Sequence, residues 1–519
     1  MYKCDGVRIP VEMLMRMDAK SAILKSIGAD ESKANGFRIL RESLDSRFSR
    51  SKGIFYEFSA CFGYEGAFLS KRVSPYEEPS SIPAPPARLS FRPLIVGTGP
   101  AGLFCALRLV ERGIKPLLLE QGKNLKDRAL DVGRFFETGS LLTRSNVHFG
   151  FGGAGMFSDA KLTSRSKSPY SAYVLSRLIE FGAKPEIAYQ AKPHLGTDGI
   201  RKILEGIEAH LLANGASIQY EAEATDLLLH EGKAQGIVLG GREEILSPCV
   251  ALACGNAARG LFAALLEKGV RMQAKPFAVG VRAEHRQEVF NRYIYAQHAA
   301  NPFLPPAEYS LTYQDAASGR GVYTFCNCPG GEVVNASSEQ GGLAVNGMSD
   351  ARRSSKNANA AFVVTVTPSD MGGTAEGAVA FQREIEQRAF QAAGGGHCVP
   401  TMPLASFLGI KASEPCEATA RPRTAEAELA DILPSFALNP LRNAMLHCAS
   451  RIKGFETGIL SAPETRTSSP VRILRSDASM ESVSTRGLYP IGEGAGYAGG
   501  IVSSAIDGIR AADAICGTL

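Results

Sequence analysis

The stretch LIVGTGPAGLFCALRLVERGIKPLLLE, residues 94–120, runs without interruption through an apolar strand, a glycine turn, a helix and a second apolar strand. Gly97 permits the tight turn, Gly99 leaves room for backbone to approach a pyrophosphate, and Gly102 lets the helix pack close to the sheet. Pro100 and Ala101 open that helix, where free N–H groups favour an anion. Leu103, Ala106, Leu107 and Val110 recur at helical spacing, and Gly113 stands where a C-cap is wanted. Glu120 closes the second strand. A carboxylate there can accept both ribose hydroxyls of an adenosine and would repel the 2′-phosphate of NADP. Gln121 is its neighbour, and Arg128 follows within reach of a phosphate. So many parts in register are a dinucleotide fingerprint rather than a lone glycine turn, and they predict an α/β fold of Rossmann type.

The fingerprint does not separate FAD from NAD, and two further segments decide. GLYPIGEGAGYAGGIVSSAIDGIRAADAI, residues 487–515, reads as strand, glycine turn and amphipathic helix. It is similar to the C-terminal flavin motif of FAD proteins, in which an acid after a glycine binds the ribityl chain. Gly492 and Glu493 stand at that position, with Glu where the motif usually has Asp. Gly499, Gly500 and Ile501 would then bring a helix N-terminus to the flavin ring and favour negative charge there. In HFGFGGAGMFSDAKLTSR, residues 148–165, Gly152, Gly153, Gly155 and Met156 allow backbone to lie against a flat ring, while Ser158, Asp159 and Lys161 supply a hydroxyl, an acceptor and a cation. Ala224, and Gly255 at the end of the buried-strand pattern VALACG, complete the expected FAD-binding set.

With these segments the chain resembles the family of predicted FAD-dependent dehydrogenases, also described as NAD(FAD)-utilising, flavoproteins with an N-terminal α/β domain. The resemblance rests on SLDSR at 43–47, the fingerprint, GGAGMFSDAKL, CNCPGGEVVNASSEQGGLAVNGMSDARRSSKNANAAFVV at 326–364, ETRTSSPVRI at 464–473 and YPIGEGAGYAGGI at 489–501. Phe151 stands where that family's glycine loop carries an acid, and Cys254 where it carries threonine. The resemblance implies FAD as cofactor and leaves the substrate open.

The predicted architecture is α/β: a Rossmann-like FAD-binding domain at 93–275 and 461–519, an inserted α+β substrate domain at 276–460, and a small N-terminal α/β domain at 1–75. The Pro-rich stretch 76–92 links the last to the rest. Within the N-terminal domain, 11–27 and 31–45 read as helices and GIFYEFSACF as a strand. A net charge of +5 over 519 residues implies no nucleic-acid partner. No apolar run approaches the roughly 20 residues a bilayer needs, and the opening residues lack a signal core, so a cytoplasmic protein without membrane contact is expected. The eleven scattered cysteines suit reduced thiols.

The expected activity is that of an FAD-dependent oxidoreductase, a dehydrogenase moving hydride through flavin N5, with NAD(P)H open as electron partner. The alternatives are a flavin monooxygenase and an FAD-binding RNA-modification or redox-sensing factor. Lys161, Arg466 and Arg472 are the candidates for chemistry, the arginines as partners of a carboxylate. Cys326 and Cys328 read as structural in preference to a redox pair, since thiol reactivity turns on exposure and neighbours that spacing does not show. No metal site is expected, because two cysteines lack further ligands nearby.

Overall fold

Leu94–Val96, the first strand of the fingerprint, is the middle strand of a five-stranded parallel sheet. The computed structural model describes every residue except 67, 69, 79–81, 165, 167, 413, 518 and 519. Residues 79–81 of the expected linker and Arg165 of the third glycine segment thus lie outside the described residues. The sheet order is Leu488–Pro490, Val250–Leu252, Leu94–Val96, Leu117–Leu119, Ser217–Gln219. Leu94, Ile95, Val250, Ala251 and Leu252 are buried, as strands covered on both faces must be. Because all five strands run the same way, the loops after Val96, Leu119, Leu252 and Pro490 gather at one rim, where open α/β sheets bind ligands.

One face of the sheet packs the fingerprint helix Pro100–Glu111 against the C-terminal helix Ile501–Ile515. Their approach is so close that a Cβ on Gly508 would strike the Ala101 carbonyl. Asp513 fastens the pair by accepting from Arg108 and Arg112 at 2.8 Å each. The other face carries the helix Arg259–Glu267 and an antiparallel sheet of Ala224–His230, Lys233–Leu239 and Glu243–Leu246.

A seven-stranded mixed sheet begins at Phe277 and ends at Glu464. Its helices Ala375–Ala392 and Ser435–Ala449 bury apolar residues in a separate core, while Ala375 and Val379 pack with the nucleotide domain. The sequence boundary at 460 falls inside the strand Ile459–Glu464, so the sheet runs past it. Met272–Ala274 pairs with Val471–Ile473 where the chain enters and leaves this body. The fold is a Rossmann-like α/β domain with an inserted α+β domain.

The N-terminal segment is a four-stranded antiparallel sheet with the helix Ala19–Ile27 packed on it. Two expectations change here. The predicted helix 11–27 is broken into Val11–Leu14 and Ala19–Ile27, because Asp18 leaves the helix to cap it by accepting from Ser21 N at 3.0 Å. The predicted helix 31–45 is a short 3-10 turn followed by the strand Ala34–Asp45. Bulges between Asn35 and Arg38 and between Ile39 and Arg41 shift its register, so the alternation that marks a strand is scrambled. Glu42 then exchanges backbone hydrogen bonds with Tyr189 and Ala191, and Ser49 Oγ donates to the Ile294 carbonyl, docking this sheet on both other domains. Among the described residues no helix is long and apolar enough to cross a membrane.

Candidate functional site

The loops at the sheet rim open on a cavity of ≈ 920 Å³ whose far wall comes from the inserted domain. Each fingerprint glycine has a distinct reason to be there. Gly97 has φ +100, and a Cβ on it would strike the Ala253 carbonyl oxygen. One on Gly102 would strike the Gly97 carbonyl. Gly99 is different: with φ −73 it needs no special backbone, and an added Cβ would meet only Gly153 Cα at 3.8 Å. Gly99 therefore keeps space open for something other than protein. Gly153, at φ +65, lies against it, joining the third glycine segment to the fingerprint.

Two helix N-termini face this space, that of Pro100–Glu111 through Gly99 to Ala101 and that of Ile501–Ile515 through Gly499 to Ile501. Their free N–H groups and positive dipole ends favour an anionic ligand. Gly97, Glu120, Gln121, Gly155, Ser158, Asp159, Lys161, Ala224, Gly255, Glu493 and Arg466 also line the cavity.

Glu120 is corrected in its role: it is engaged by protein donors and not left free to accept two ribose hydroxyls. One carboxylate oxygen accepts from Thr98 N at 3.0 Å and Thr98 Oγ1 at 2.6 Å, the other from Gly122 N at 2.9 Å and Gly150 N at 2.8 Å. These four bonds match the capacity of a carboxylate, so Glu120 ties the turn to the glycine loop. Glu493 accepts from Asn256 Nδ2 at 2.8 Å, and burial pushes its carboxyl up to about 7 against that bond and the Lys275 charge. Gly492 lies behind it, packed on Ala101 and donating to Asp507 at 2.7 Å.

Arg128 is corrected. Its guanidinium is fully buried and donates to the carbonyls of Asn146, Val147, Gly150 and Phe151 at 2.8–3.1 Å, so it shapes the glycine loop and does not face the cavity. Gly102, Gly152, Met156 and Gly492 likewise stand behind the lining. Gly152 abuts Leu204, and Met156 Sδ lies 3.9 Å from Arg128. Arg472 is corrected too: it donates to the Gly496 carbonyl and lies over the Tyr497 ring, away from the cavity. Arg466 stays at the wall, gripped by Glu386 at 2.9 and 3.0 Å and by Ser338 Oγ at 2.7 Å. Lys161 pairs with Asp159 at 2.9 Å and donates to the Asn327 carbonyl. Asp159 is held in turn by Arg353 at 2.8 Å.

Residues missed by sequence reasoning are those assembled from distant strands. Arg282, completely buried, donates to Glu464 at 2.8 Å, Asn346 Oδ1 at 2.8 Å and the Cys326 carbonyl at 2.9 Å. Glu464 and Asn346 line the cavity, as do Asn256 and His148. His148 Nε2 is buried without a protein partner, and burial followed by the Arg466 charge holds the ring well below its usual pKa. No spacing signals Arg282, whereas Glu464 and Asn346 sat in segments already singled out. Among the described residues no group of three or more His, Cys, Asp or Glu could hold a metal ion.

Residues 276–467 match the family described as "FAD-dependent protein, C-terminal domain-like". An uncharacterized protein of Clostridium beijerinckii is 38% identical over 505 residues, covering 95% of this chain and 94% of that one. Among solved structures, a flavin-dependent brominase mutant is 12% identical, with 82% of this chain and 80% of that chain covered and a TM-score of 0.38. Glycine oxidase from Bacillus cereus is 10% identical, with 83% and 98% covered and a TM-score of 0.33. At such scores the fold assignment rests on the chain's own sheets. The open space at Gly99, the two helix N-termini and the carboxyl at Glu493 fit an FAD molecule with its pyrophosphate at the rim. The chain belongs to the family of FAD-dependent proteins that carry this C-terminal domain, and FAD is its cofactor.

Proposed function

We propose that the chain is an FAD-dependent dehydrogenase that moves two electrons as hydride between a small organic substrate and its cofactor. The observation that supports this reading is the shared cavity: glycine backbone from the nucleotide domain on one side, Asn346, Glu464 and Arg466 from the inserted domain on the other. When bound, FAD supplies the hydride chemistry at its flavin N5, and the protein binds, orients and tunes. In this reading Glu120, Gln121 and Ala224 surround the adenosine, while Gly97 to Ala101 hold the pyrophosphate. Glu493 accepts a ribityl hydroxyl, and Gly499 to Ile501 bring positive helix-end charge to the ring.

Arg466 serves as substrate anchor. Its guanidinium is locked by Glu386 and Ser338, so it presents a fixed cation to a substrate carboxylate without ordering cost. NAD(P)H is the proposed electron partner. Anaerobic titration of the purified protein with NADH and with NADPH tests this, bleaching of the flavin absorption by one of them being the expected result. No bleaching by either, with oxygen incorporated into product under air, would contradict the dehydrogenase and point to a monooxygenase.

A further inference from the structure

The strand Gly321–Cys328 carries a bulge between Phe325 and Cys328, and Cys326 sits on it with φ +45. A left-handed backbone at a residue with a side chain is costly and is kept where the surroundings over-determine it. Here the result is that Cys326 joins the cavity wall, beside Phe325, while Cys328 is buried behind it. Two cations grip the Cys-Asn-Cys bulge from opposite domains. Lys161, from the nucleotide domain, donates to the Asn327 carbonyl. Arg282, from the strand Phe277–Arg286, which the strand Asn357–Val366 separates from the bulged one, donates to the Cys326 carbonyl at 2.9 Å and reaches Cys328 Sγ at 4.0 Å. The carboxylate facing the same group, Glu464, is already paired with Arg282, and Asp159 with Lys161.

We infer that Cys326 is a nucleophilic thiolate of this cavity and Cys328 its resolving partner, together a redox-active dithiol whose substrate class is a small organic disulfide. The inference deepens the oxidoreductase reading of the same cavity by passing the electrons to substrate through thiol exchange in place of direct hydride transfer. It rests on that reading only for return of the pair to the dithiol, which takes two electrons from FAD previously reduced by NAD(P)H, the electron partner proposed above. Thiolates are stabilised by adjacent cations and become the attacking species. The neighbouring Cys328 thiol, whose Sγ also donates to the Cys326 carbonyl at 3.5 Å, holds the Cys326 thiol well below its usual range, with Arg282 and Lys161 acting in the same direction against burial. Its contact with Cys326, followed by burial, raises Cys328, as befits a thiol that reacts second.

The step balances as ordinary exchange. Cys326 Sγ attacks one sulfur of R–S–S–R, the substrate S–S bond breaks and one RS⁻ leaves, taking the proton given up by Cys328. Cys328 Sγ then attacks Cys326 Sγ and displaces the second RS⁻, which solvent protonates. Two thiols of the protein have become one disulfide, and one disulfide has become two thiols.

The test uses the purified full chain with iodoacetamide and with bis(2-hydroxyethyl) disulfide, each site read by peptide mass. Cys254, Cys398 and Cys516, the other partly exposed thiols, serve as internal references. Cys326 is expected to be alkylated first, its rate changing less than about threefold between pH 8 and pH 6, where an ordinary thiol slows on the order of a hundredfold. Lys161→Met should make that pH dependence steeper. The small disulfide should leave a Cys326–Cys328 bond in the wild type and a stalled hydroxyethylthio adduct on Cys326 in Cys328→Ser. Cys326 reacting no faster than the reference thiols, or two separate adducts without a Cys326–Cys328 bond, overturns the inference. FAD content, measured on the same samples, reports separately on the cofactor reading.

Discussion

The two ends of the cavity are built by opposite means. At the sheet rim the wall is backbone: Gly97, Gly99 and Gly153, with helix ends supplying partial charge. At the inserted-domain end the wall is side chains, and the charges are whole: Arg282 with Glu464 and Arg466 with Glu386 from the inserted domain, met by Arg259 and by the Lys161–Asp159 pair of the nucleotide domain. A backbone wall fails by crowding, since any Cβ intrudes. A wall of buried ion pairs fails by imbalance, since removing one partner strands the other charge. The first kind of wall suits a ligand common to many proteins, and the second a ligand particular to one.

The largest expected effect is at the rim. Gly102→Val would drive a branched side chain into the Gly97 carbonyl and part the helix from the sheet. No flavin should co-purify, and the unfolding midpoint should fall. At the other wall, Arg282→Met leaves Glu464 buried beside Asn346 without its cation, and about 3–5 kcal/mol of stability should be lost in urea unfolding. A loss below about 1 kcal/mol would mean that water or another cation reaches Glu464, and the contrast between the walls would collapse.

Glu493 stands between the two ends and should show the smallest change. Glu493→Ala should cost roughly 1.5–3 kcal/mol of FAD binding, about ten- to hundredfold, with much recovered in Glu493→Asp. The sign of its pH dependence follows from which form accepts the hydroxyl. The carboxylate is the acceptor and its folded-state pKa is raised to about 7, so affinity is full above that value and falls as pH drops through it. Glu493→Gln should flatten the profile. A profile for the wild type that is already flat from pH 6 to 8 would place Glu493 away from the ribityl chain.

The contrast also explains what could be read from residues alone. The rim was legible because its parts are consecutive: Gly97, Gly99 and Gly102 lie within one turn and helix, and the strand before them is an unbroken apolar run. The opposite wall was not, because Arg282 and Glu464 come from two strands of the seven-stranded sheet and Asn346 from Val345–Met348 of a separate two-stranded sheet, and they meet only in the folded domain. Arg128 misled for a related reason: its position after the fingerprint suggested a phosphate, while the loop it stabilises takes all of its reach. The strand Ala34–Asp45 was hidden by two bulges that break its alternation.

The central claim is that FAD lies in this cavity with its pyrophosphate at Gly99. Gly99→Val is the cleanest probe, because an added Cβ there meets only Gly153 Cα at 3.8 Å and the backbone, at φ −73, accepts any residue. The measurement is equilibrium FAD binding by wild type and Gly99→Val, each shown to be folded by its unfolding transition. Loss of measurable binding with an unchanged unfolding midpoint is the predicted result. An unchanged dissociation constant in a folded Gly99→Val protein would contradict it.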